Sequence, residues 1–162
     1  IGEMGKLKHR IVILLMLAFL ITACKQNEVK GIIIDSTLYT NQSISYTNQS
    51  ISENKELRLL IEQTLNKDET ALAKLSDFWC GGASGCYDLC FIVTQIIYKL
   101  GVEDFVTMVE KLGQKERTVL YSLILFGLEY GDNDRDGKED NKLIENEFPA
   151  LFILLQSKMI DE

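Results

Sequence analysis

Four cysteines and one dense group of aspartates are the residues of this sequence best equipped for chemistry. Cys80, Cys86 and Cys90 follow Trp79 in the run WCGGASGCYDLC. In an oxidising compartment, thiols this close in sequence pair. The glycine-rich stretch between Cys80 and Cys86 can bring their Cα atoms within about 6 Å. Closing that loop stabilises the fold by about 2 kcal/mol through the unfolded chain. Cys80 with Cys90 is the rival pairing. Cys90 falls one helical turn after Cys86 on an apolar stripe, which suits a buried free thiol. The spacing fits neither a zinc site nor a C-x2-C redox centre. The second group is Asp132, Asp134 and Asp136, followed by Gly137 and then Asp140. Carboxylates at alternate positions with a glycine after the third suit Ca²⁺, because they replace its water while the glycine permits a sharp turn. A third set, Glu129 beside Tyr130 with Asp77 and Asp88 near the cysteines, has residue types for acid–base work. Nothing in its spacing brings those carboxylates together.

The aspartate run resembles the start of an EF-hand-type calcium loop. The resemblance implies a cation held by Asp132, Asp134, Asp136 and Asp140. One departure matters: the twelfth position, where a bidentate glutamate belongs, is Leu143. Glu145 or Glu147 would have to reach back, and affinity is expected to be weak. The competing reading is a solvated acidic loop, or a contact surface for a basic partner.

Cys24 sits in a different context. Lys6, Lys8, His9 and Arg10 precede the apolar run Ile11–Thr22, and Met4 suits a natural start. A basic segment, an apolar stretch of this length and small residues at a cut site describe a signal peptide. A membrane-spanning helix needs roughly 20 apolar residues. The run ends Leu20-Ile21-Thr22-Ala23-Cys24, which resembles the lipobox of bacterial lipoproteins. The resemblance implies cleavage before Cys24 and acylation of its thiol and new amine. Two or more acyl chains anchor stably where one does not. Lys25, rather than an acid, at the following position implies an outer-membrane address.

Processing at Cys24 would remove His9, the only histidine. The body would then lack an imidazole for general-base catalysis, for a nucleophile–histidine pair or for metal ligation. No P-loop, nucleophile elbow or dinucleotide glycine pattern occurs either. A non-enzymatic role is therefore expected. The whole sequence carries a net charge of −7. Residues 1–23 hold three of its basic residues and one acid, so the processed chain keeps 14 basic and 23 acidic residues, a net of −9. Such a surface repels phosphate backbones, which disfavours nucleic acid, and it speeds encounter with a basic partner.

The elements that must position these residues are helical. Residues 1–23 read as a leader, 24–52 as the lipidated cysteine and a flexible tether, and 53–162 as one folded domain. The tether contains YTNQSIS twice in tandem, at Tyr39–Ser45 and Tyr46–Ser52. A segment so rich in Asn, Gln, Ser and Thr buries little apolar area. Within it Gly31–Ile34 has the composition of a short strand. From Glu53 onward the apolar residues recur with helical period. Leu57, Leu60 and Ile61 mark a first helix, and Asp68 caps a second carrying Leu72, Leu75 and Phe78. After a loop at Cys80–Gly85, a third runs from about Cys86 to Leu100, where Gly101 ends it. A fourth spans 103–112 and stops at Gly113, a fifth spans Lys115–Tyr130, and a polar loop covers 131–142. The last covers about 147–157 with Pro149 in its first turn. The expected fold is all-α, an irregular bundle or short HEAT-like stack of about six helices after a disordered tether.

In size, helicity, export, acidity and the cysteine-bracketed loop, the chain resembles the small helical periplasmic immunity proteins that neutralise toxins of interbacterial secretion systems. The resemblance implies an envelope-anchored protein-binding module whose exposed loops plug a basic toxin. Gly81, Gly82 and Ser84, together with Asp132 and Asp134, are the expected contact residues. A calcium-binding or purely structural envelope lipoprotein is the alternative.

Overall fold

A computed structural model describes residues 28–34, 51–80 and 83–156. The leader, Cys24, most of the tandem repeat and Gly81–Gly82 lie outside the described residues. Two short strands, β1 (Glu28–Val29) and β2 (Ile32–Ile33), precede seven helices among the described residues. These are α1 (Ile51–Leu65), α2 (Glu69–Ser76), α3 (Ala83–Leu100), α4 (Val102–Val109), α5 (Gln114–Tyr130), α6 (Ile144–Glu147) and α7 (Pro149–Gln156). The protein is all-α, with an irregular bundle built around α3 and α5.

The apolar stripes read from the sequence face the core. Leu57, Leu60 and Ile61 of α1, Leu72 and Leu75 of α2, and Leu89, Val93, Ile96 and Ile97 of α3 are buried. They meet Phe105 and Val109 of α4, Leu120 and Ile124 of α5, and Leu151 and Leu155 of α7 in one cluster. Asp68 caps α2 as expected, its Oδ1 accepting from the backbone N–H of Thr70 and Ala71 at 2.9 and 3.1 Å. The close α3–α5 approach depends on Gly127. A Cβ there would run into the Cys90 carbonyl and the Thr94 methyl group.

Several boundaries move, each for a physical reason. The expected tether does not hold at 28–34. β1 and β2 pair antiparallel, Val29 opposite Ile32, across a turn in which Lys30 and Gly31 both have positive φ. That is the backbone demanded by tight two-residue hairpins. Val29, Ile32 and Ile34 are buried in the same core as the helices. Gln95 of α3 clamps the hairpin, its amide accepting from Ile33 N at 2.8 Å and donating to Ile33 O at 3.0 Å. At the other boundary α1 begins at Ile51, so the last two residues of the tandem repeat are helical.

Expected as a loop to Gly85, the cysteine segment is already helical from Ala83. The fourth helix ends at Val109 rather than 112, and Gly113, with φ −72°, starts α5 instead of stopping α4. Arg117 explains the early end. Its guanidinium is buried, and it donates to the Val109 carbonyl at 3.0 Å and to the Glu110 carbonyl, capping α4 with positive charge. The last expected helix starts at Pro149 rather than 147, and a separate one-turn helix, α6, precedes it. Pro149 brings no N–H and disfavours helical geometry at Phe148, so the chain breaks there and restarts at Pro149.

Candidate functional site

The cysteine end of α3 is the first region of interest. Cys80 and Cys86 form a disulfide with Cα atoms 4.9 Å apart. Cys90 is the buried free thiol. Burial pushes that thiol up to about 12, so it stays protonated at neutral pH. Of the expected contact residues here, Gly81 and Gly82 lie outside the described residues, and Ser84 sits in the first turn of α3.

Beside the disulfide, three aromatic side chains meet at the surface. Phe126 and Tyr130 are four apart on α5 and share one face, their ring centroids 6.2 Å apart and nearly parallel. Tyr87 of α3 stands edge-on to both, at 6.3 and 5.3 Å. All three are at least 40% exposed. Next to them an apolar hollow of about 220 Å³ is lined by Cys86, Tyr87, Cys90 and Phe126. The surroundings are acidic. A hydrogen bond to Glu129 holds the Tyr130 phenol above its ordinary range, and the charges of Glu129 and Glu139 add to the effect. In the sequence Phe126 is one apolar residue among many in its helix, and nothing there marks this face. The spacing of Phe126 and Tyr130 was the available signal, but Tyr87 joins them only through tertiary packing.

The acidic loop begins directly after α5. It leaves at Gly131 and returns so that Asp140, Asn141 and Lys142 donate their N–H groups to the carbonyls of Gly131, Glu129 and Leu128. The loop is thereby closed on the helix end it departs from. No match to this chain is found among protein-family models, curated proteins or solved structures.

Asp132, Asp134 and Asp136 bring one carboxylate oxygen each within 4.8 Å of one another. Arg135 and Gly137 take positive φ between and after them, which folds the chain tightly around the three acids. Gly137 N donates to Asp132 Oδ2 at 3.0 Å, Asp136 N to Asp134 Oδ1 at 3.1 Å, and Lys138 N to Asp136 Oδ1 at 2.9 Å. One oxygen, Asp132 Oδ1, is enclosed and accepts no hydrogen bond.

The fourth expected ligand does not join the cluster. Asp140 turns away, accepting from Asn133 N at 3.2 Å and pairing with Lys142 at 3.2 Å, with only 2% of its side chain exposed. Burial alone would raise its carboxyl, but the Asn133 hydrogen bonds and Lys142 outweigh it and hold the group below the usual range. Glu147 does not reach back either. It accepts from the Tyr98 hydroxyl at 2.7 Å. Leu143 at the twelfth position precedes α6 with half its surface exposed. Three carboxylates fit part of a calcium shell, and the remaining oxygens would be backbone carbonyls and water.

The third set of acids is engaged elsewhere. Asp77 pairs with Lys115 at 3.0 Å, and Glu129 with Tyr130. Among the described residues no helix is long and apolar enough to cross a membrane.

Proposed function

We propose that this chain is an exported lipoprotein, anchored through acylated Cys24 in the outer membrane, whose helical body binds another protein. The exposed aromatic triad Tyr87, Phe126 and Tyr130 beside its apolar hollow carries the reading. Aromatic side chains clustered around a pocket are the usual anchors of protein interfaces. A solvated contact of three large rings has no role in folding that burial would not serve better. The acids beside Tyr130, with the net charge of −7, favour a basic partner. The expected immunity role is one form of this function: the partner would be a secreted toxin, blocked by the aromatic face and the neighbouring disulfide loop. Of the contact residues expected from sequence, Ser84 stands in the first turn of α3, ahead of Cys86, which lines the hollow, and Gly81 and Gly82 lie outside the described residues.

The test is co-expression with each secreted protein that an adjacent gene encodes. A stable complex and protection from toxicity are expected, both weakened at least about tenfold by the double substitution Phe126→Ser and Tyr130→Ser. No complex with the unsubstituted chain would overturn the reading. Anchoring is tested separately by mass spectrometry of the N-terminus. Cys24→Ser should leave an unacylated chain that no longer sediments with membranes.

A second reading has its own observation. The enclosed, unsatisfied Asp132 Oδ1 within the three-carboxylate cluster favours weak Ca²⁺ binding by the loop. Asp132, Asp134 and Asp136 would hold the ion, without Asp140. At about 100 times its Kd, Ca²⁺ would stabilise the fold by about 2.7 kcal/mol. A melting temperature that rises with millimolar Ca²⁺, and does not rise in Asp134→Asn, supports this reading. An unchanged melting temperature rejects it.

A further inference from the structure

A second cavity, of about 360 Å³, opens on another part of α3. Its walls are the hairpin turn at Gly31, the α3 residues Phe91, Tyr98 and Lys99, and the loop residues Asn133 and Arg135. That volume is in the range of small-molecule sites. The walls are fixed. Gln95 clamps the hairpin to α3 through both polar atoms of Ile33. Asn133 accepts from the buried Thr94 hydroxyl at 2.8 Å and donates to the Gly127 carbonyl at 3.0 Å. Lys99 lies across the turn, since a Cβ on Gly31 would sit 2.8 Å from its Nζ.

The charges around this cavity divide into committed and uncommitted. Asp140 is paired with Lys142, whereas Glu147, which accepts from the Tyr98 hydroxyl, and Asp134, which accepts from Asp136 N, keep their negative charge. Lys142 is committed to Asp140 and also lies over the Tyr98 ring. Among the described residues, the Lys99 ammonium and the Arg135 guanidinium have neither a hydrogen-bond nor an ion-pair partner. In the DNDRDG run the acids converge on one another while Asn133 and Arg135, between them, line the cavity. Arg135 holds a left-handed backbone, φ 64°, unusual for a residue other than glycine.

We propose that this cavity binds a small, sugar-sized molecule bearing an oxyanion. Lys99 and Arg135 hold the carboxylate or phosphate, and the Phe91 and Tyr98 rings support the body of the ligand. The guanidinium fork matches either oxyanion in bidentate fashion, with the ammonium adding a point charge. This site is separate from the aromatic face but shares residues 132–136 with the acid cluster, so divalent cations are left out of its test.

Calorimetric titration of the full chain at low salt, without divalent cations, tests the proposal with three probes: glucuronate, glucose 6-phosphate and glucose. Binding of either anion, and not of glucose, is expected at millimolar concentration or below. The preferred anion identifies whether carboxylate or phosphate is the natural group. Lys99→Gln and Arg135→Gln should each weaken binding about tenfold, and together abolish it. Both side chains are exposed, so the melting temperature should hardly change and a loss of binding cannot be put down to unfolding. Equal binding of glucose, no binding of either anion at millimolar concentration, or unchanged affinity in the double variant would overturn the proposal.

Discussion

Asp140 shows how one side chain's surroundings set its chemistry. By spacing it belongs with the other aspartates of the loop. In the fold it is enclosed and bonded to Asn133 and Lys142, which hold its carboxyl below the ordinary value of 3.8. A carboxylate lowered in the folded state stabilises the fold above its unfolded pKa, and that stability is lost as pH falls through the folded value. Denaturation midpoints should therefore drop below about pH 4 more steeply in the unsubstituted protein than in Asp140→Asn. Parallel pH profiles for the two would contradict the assignment. Thr64 is a simpler case. Its hydroxyl is buried in α1 and has no hydrogen-bond partner. Thr64→Val keeps the shape and removes the unsatisfied group, so chemical denaturation should show a gain of about 1 kcal/mol. Neither prediction could be made from residue type. Helical period puts Thr64 on the face of Leu57, Leu60 and Ile61, but only the fold shows what its oxygen meets.

Helices in this protein are positioned by a few contacts that sequence periodicity does not report. Gly127 lets α5 lie against the backbone of α3 at Cys90 and Thr94. Gly127→Ala would gain helix propensity, worth up to about 1 kcal/mol. The added methyl group would meet a backbone carbonyl, and overpacking of this kind costs about 1–3 kcal/mol. The net expectation is destabilisation, read as a lower denaturation midpoint. A more stable variant would mean that the two helices can separate at no cost. Arg117 works in the same way. A charged residue on a helix normally reads as solvent-facing, yet here it is buried as the cap of α4. Pro149 in the first turn of the last helix was legible, but the one-turn helix at Ile144–Glu147 before it was not. The aromatic face also belongs to this scale. Phe126 and Tyr130 are neighbours by helical geometry, whereas Tyr87 reaches them because α3 and α5 pack together.

The molecule as a whole is more continuous than its sequence suggested. The hairpin at 28–34 lies in a stretch whose neighbours are polar and repetitive, yet it contributes three side chains to the common core. Ile32→Ala should cost about 2–5 kcal/mol and lower the midpoint of one cooperative transition. A separate early transition, with the helical body unaffected, would show that the hairpin is merely docked on it. The sequence by itself determined the helical class, most helix positions, the cap at Asp68 and the convergence of Asp132, Asp134 and Asp136. All of these follow from local rules, since period, capping and alternate spacing act within a few residues. The Cys80–Cys86 pairing, six residues apart, is likewise the one expected from the sequence. Only the tertiary structure decided which apolar rings remain at the surface and which cations go unanswered. Those outcomes depend on which distant surfaces meet, and no short window of sequence contains that information.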